Sequence, residues 1–132
     1  MNPQPSRLGL LWLLLATVAA SVLHYVDNLL FFEQYPEPPW INRKLIDVFW
    51  LLMTPLAWIG YRLIRRGAQL LGTAVLLAYA ACNLLSLGHY LYAPMHDISL
   101  RIHAFIVLEA ALAVALIAFL LTVNPKRPTA CP

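Results

Sequence analysis

The sequence predicts an all-α, polytopic membrane protein: a four-transmembrane-helix bundle in up-down-up-down order, N-in and C-in. Three observations carry this expectation. Hydrophobic residues make up 61% of the 132 and charged residues only 11%, against roughly 25% charged in a soluble domain. Four apolar runs each reach about the 20 residues that a helix needs to cross the hydrocarbon core. The nine Lys and Arg cluster at the ends of those runs, and unevenly. A water-soluble chain this short has too little interior to hide so much apolar surface, whereas a bilayer removes the need. The length suits one domain, residues 1–132.

The first span is expected over residues 8–28. Ahead of it, Asn2-Pro3-Gln4-Pro5-Ser6 reads as a tail, because prolines interrupt helices. Val18-Ala19-Ala20 before Ser21 resembles a signal-peptidase site, but the stretch before it holds one cation and the apolar run continues towards Leu30. A retained span is therefore expected, with cleavage of residues 1–20 the alternative. The connection over 31–44 carries Tyr35-Pro36-Glu37-Pro38-Pro39-Trp40, an extended or turning segment whose aromatic residues suit the membrane interface. It reads as an ordinary interfacial loop, with a lid or docking surface the sharper alternative.

The second span is expected over residues 45–64, kinked at Thr54-Pro55. A short basic turn, 62–67, makes the third span, 69–90, its antiparallel neighbour. The connection over 91–101 holds Pro94 and a helix cap at Asp97 or Ser99. The fourth span is expected over 102–123, followed by Asn124-Pro125-Lys126-Arg127-Pro128 as a tail.

Orientation comes from counting cations. Arg7, Arg62, Arg65, Arg66, Lys126 and Arg127 fall on one side, and Arg43, Lys44 and Arg101 on the other. The side with six is cytoplasmic by the positive-inside rule. A cell membrane of the bacterial inner-membrane type is the expected location. The net charge of +3 and pI near 9.1 do not imply nucleic acid, because a chain with so little surface outside lipid offers no basic groove for a phosphate backbone. The bilayer is the principal partner, and a homodimer or larger membrane complex is the protein assembly open to it. Cys82 in an apolar run and Cys131 in the tail are not placed to pair, and no CxxC is present.

Polar residues carry what the sequence says about function. His24, His89, His96 and His103 all map to the extracytoplasmic end. Thr17, Ser21, His24 and Asn28 recur at spacings of four, three and four, so they line one helical face, with Asp27 beside His24. Tyr79, Asn83, Ser86 and Tyr90 form a similar stripe in the third span, adjoined by His89. Ser99 and His103 share a face of the fourth, and Glu109 is turned roughly 120° from His103. Candidate partners for Glu109 are Arg101 or a polar group on another span. Ser21-Val22-Leu23-His24-Tyr25 is echoed by Ser86-Leu87-Gly88-His89-Tyr90, which sets His24 and His89 at similar depth whether or not the halves are duplicated.

Ionisable groups inside a bilayer are costly and normally face the bundle interior. His24, Asp27, His89 and His103 are thus the candidate ligands of a pocket binding a transition metal, haem or another small ligand, supported by Ser21, Asn28, Asn83, Ser86, Tyr90 and Glu109. Imidazole beside carboxylate suits metal ligation and proton transfer alike. The plain reading is that these groups only stitch helices together, as in an accessory or assembly subunit of a larger complex. A membrane enzyme acting on a lipid-like substrate, with His24 and Asp27 as general base, ranks behind both, since no nucleophile motif or phosphate loop is present.

Overall fold

A computed structural model describes residues 5–122. The predicted C-terminal tail, with Lys126, Arg127 and Cys131, lies outside the described residues, as does the last residue of the predicted fourth span. The described residues are all helical and turn, without strands. Four helices are long and apolar enough to cross a membrane.

Helix α1 spans Pro5–Leu30 and so begins within the predicted tail. The first turn of a helix has no use for the N–H that proline lacks, so Pro5 is tolerated there. A single 3₁₀ turn, Phe32–Gln34, follows. Helix α2, Arg43–Arg65, is capped by Asn42, whose side chain accepts from the Leu45 N–H at 3.0 Å. Pro55 is accommodated inside α2, which runs unbroken.

Helix α2 ends at a tight turn. Gly67 takes φ +89°, and Gly67 N–H and Ala68 N–H return to the carbonyls of Ile64 and Leu63 at 3.1 and 3.0 Å. This is the Schellman arrangement, which needs a left-handed residue and hence glycine. Helix α3, Gln69–Asn83, then packs closely against α2, since a Cβ on Gly72 would stand 2.8 Å from the Gly60 carbonyl oxygen. Helix α4, Leu100–Thr122, starts with Ile102 N–H 3.4 Å from Ser99 Oγ, which makes Ser99 the cap.

The third span departs from the expected single α-helix. From Leu84 to Leu91 it winds as a 3₁₀ helix, longer than the usual three or four residues. Two polar side chains divert the backbone: Asn83 Nδ2 donates to the Tyr79 carbonyl at 2.7 Å, and Ser86 Oγ donates to the Asn83 carbonyl at 2.9 Å. Such side-chain bonds compete with helical ones. The change matters for placement, because 3₁₀ winding puts residues three apart in register. Asn83, Ser86 and His89 then form one row, where α-helical winding would align Asn83 and Ser86 with Tyr90.

The core is a layer of Leu10, Leu14, Met53, Leu76, Ala113 and Leu116 shared by all four helices. The surface is apolar, with Leu52, Leu70 and Leu100 more than two-thirds exposed. Large apolar residues outside and a polar stripe inside reverse the soluble pattern and suit lipid.

Candidate functional site

Thr17, Ser21, His24, Asp27, Asn28, Asn83, His89 and Glu109 are the buried polar and charged residues. They come from the stripes on α1 and the third span and from α4. Most surround a cavity of about 170 Å³ bounded by α1, α2, the 3₁₀ segment and Glu109 of α4. Cavities of about 150 Å³ take a benzene-sized molecule. Ile46, Phe49, Met53 and Leu85 give it apolar walls, and Phe49 and Leu85 are also exposed, so it communicates with the surroundings past apolar side chains.

The centre of the site is a pair linking α1 to α4. His24 Nδ1 bonds to Glu109 Oε2, both side chains 7% exposed. The ring of His89 lies 5.5 Å from that of His24, centroid to centroid. Tyr35 packs against both rings, at 5.6 and 5.2 Å. A carboxylate or carbonyl oxygen must accept, so these contacts fix the neutral tautomers. Glu109 holds the proton of His24 on Nδ1. The Pro36 carbonyl, 3.2 Å from His89 Nδ1, does the same for His89. In its neutral form each ring therefore presents the Nε2 lone pair, and His24 Nε2 is buried without a hydrogen-bond partner.

Two amides are oriented by the same logic. Asn28 Nδ2 donates to Glu37 Oε1 at 3.0 Å, and Asn83 Nδ2 donates to the Tyr79 carbonyl. Their Oδ1 atoms are left as acceptors, buried and unpartnered. Trp50 Nε1 is likewise a buried donor without a partner. His24, Asn28, Trp50 and Asn83 all line the one cavity.

The remaining predicted residues are engaged elsewhere. Asp27 does not serve His24. It accepts from Tyr35 OH at 2.8 Å and pairs with Arg101 Nη1 at 3.1 Å, while Arg101 Nη2 donates to Gln34 at 2.8 Å. The phenol of Tyr35 is pushed well above its ordinary pKa by burial and by donation to the Asp27 carboxylate, so it stays a donor. Arg101 is thus spent on Asp27 rather than on Glu109, which lies about 12 Å further along α4. His103 Nε2 donates to the Met95 carbonyl at 2.8 Å, leaving Nδ1 to accept from Tyr90 OH at 2.9 Å. Both nitrogens are occupied and His103 does not line the cavity. His96 is exposed.

Of the four predicted ligands, His24 and His89 meet at the cavity, and Asp27 and His103 do not line it. Among the described residues no three His, Cys, Asp or Glu are grouped to hold a metal ion. Sequence reasoning passed over three contributors. Glu37 lies in the connection read as an ordinary loop, and it reaches the cavity at 3.6 Å from His89 Nδ1. Tyr25 and Trp50 stack at 4.5 Å, and Tyr25 OH donates to Asp47 at 2.6 Å, tying α1 to α2. Asp47, placed one turn into an apolar span, was the available signal for that contact.

No family model matches the sequence, and comparison with curated proteins and with solved structures returns no match.

Proposed function

We propose that this chain is a multi-pass membrane protein that binds a small, mainly apolar molecule by a polar group, in the cavity around His24 and Glu109. One observation carries the reading. Four residues whose buried polar atoms have no protein partner line the same cavity. Native proteins leave few such atoms, and each one calls for a partner. Helix-stitching alone accounts for polar side chains that bond one another, as Tyr90 and His103 do, but not for acceptors turned away from their own helix contacts. The proposal includes the orientation N-in and C-in, in an up-down-up-down arrangement, which opens the cavity near the extracytoplasmic surface. Arg7, Arg62, Arg65 and Arg66 lying at the opposite end support it.

The test is native mass spectrometry of protein extracted in mild detergent, with elemental analysis of the same sample. The expected result is a small organic molecule retained by the wild type and lost from His24→Ala, with helix content unchanged. A second reading, a transition-metal site, rests on the two Nε2 acceptors of His24 and His89 and on the carboxylate orienting His24. One equivalent of metal, lost from His24→Ala and His89→Ala, favours it instead. Protein bare of both overturns the binding reading.

A further inference from the structure

We propose that the cavity takes an organic amine in its ammonium form, carried on a benzene-sized apolar body. The inference rests on the binding reading above and deepens it by naming the chemical class. Its basis is the sign of the buried polar atoms that the lining leaves unpartnered.

Acceptors dominate. His24 Nε2, Asn28 Oδ1 and Asn83 Oδ1 are buried and unpartnered, and each is fixed as an acceptor by the bond its other atom makes. An ammonium group presents up to three N–H donors and no acceptor, which is the complement of this set. A carboxylate or phosphate would bring oxygens against oxygens and leave the acceptors unmatched. Among the buried unpartnered atoms of the lining, Trp50 Nε1 is the one donor.

Charge points the same way. Glu37 and Glu109 line the cavity, and no Lys or Arg does. The titratable groups facing it are these two carboxylates, His24 and His89, Tyr25 and Cys82. Arg101 is held by Asp27 and Gln34 outside the lining. Aromatic faces add to the match: Tyr25, Phe49 and Trp50 line the apolar part, and the faces of such rings attract cations. The volume of about 170 Å³ suits an apolar body of roughly one ring and a short chain.

The experiment is isothermal titration calorimetry of the full chain in lipid nanodiscs, with protein-free nanodiscs subtracted. Three probes share one apolar body: 2-phenylethylamine, 2-phenylethanol and 3-phenylpropionate. The amine is expected to bind at least about tenfold more tightly than the alcohol, as charge-assisted bonds exceed neutral ones, and the acid is expected not to bind. Glu37→Gln, which lies in a connection rather than a helix, should lower the ratio of amine to alcohol affinity. Equal binding of amine and alcohol, or preference for the acid, overturns the amine class while leaving a ligand-binding cavity in place. No binding of any probe also overturns it. The retained molecule seen by mass spectrometry then decides the binding reading separately.

Discussion

His24 and Glu109 are each two residues at once, one bonded to the other and one turned to the cavity. Their bond crosses from α1 to α4 with both side chains buried, where removing either partner leaves an unmatched polar group in the interior. The coupling between them is expected to be large. A double-mutant cycle on His24→Ala and Glu109→Ala, read from unfolding in mixed micelles, should give an interaction of roughly 0.5–3 kcal/mol. Additive losses would mean that the two do not share a bond. Asp27 shows how near neighbours in sequence can separate in role. It sits three residues from His24, yet Tyr35 and Arg101 claim both its oxygens.

Two features at the scale of an element shape the bundle. The first is the close passage of α2 and α3. A Cβ on Gly72 would meet the Gly60 carbonyl and the Ile64 nitrogen, both at 2.8 Å, and neither backbone atom can move alone. A Cβ on Gly60 would meet Leu76 Cγ and Cδ2 at 2.6 and 2.7 Å, with the Gly72 carbonyl oxygen further away at 3.1 Å, so a side chain rather than backbone takes the closest clash. Gly72→Ala is therefore expected to cost about 1–3 kcal/mol. Gly60→Ala should cost less, because its closest clash is with a side chain rather than with backbone, while the gain in helix propensity of roughly 1 kcal/mol is common to both. Thermal unfolding of the two variants side by side checks the order. The second feature is the 3₁₀ segment. Restoring α-helical winding would turn His89 by roughly 120° relative to Asn83. In a His24→Cys/His89→Cys protein a short bifunctional thiol reagent, long enough to replace the two rings that meet at 5.5 Å, should cross-link the two positions. Adding Asn83→Ala and Ser86→Ala should cut that yield, and an unchanged yield would show that those side chains do not hold the tighter winding.

For the whole molecule, apolar length and cation placement act at different ends of the same problem. Four apolar helices satisfy lipid along their lengths, while Arg62, Arg65 and Arg66 crowd the turn between α2 and α3. If that turn is cytoplasmic, a fluorescent reporter on the C-terminus should be active inside the cell, and an alkaline phosphatase fused in the connection over 91–101 should be active outside. Reversing both signals would turn the cavity to the cytoplasmic side without changing its chemistry.

Sequence alone determined the number of helices and their approximate limits, because a bilayer imposes one length and one polarity on every crossing. It also identified the inward face of α1, since Thr17, Ser21, His24 and Asn28 keep helical spacing and every one is buried. Tertiary structure decided the partners. The choice of Glu109 over Asp27 for His24 depends on which helix lies across from α1, and side-chain spacing within one helix carries no such information. The row of Asn83, Ser86 and His89 depends on a local tightening that hydrophobic periodicity does not encode, because hydrogen bonds to backbone carbonyls set it. Glu37 entered the cavity only because its connection folds back over the helix ends, a long-range contact that no local pattern announces.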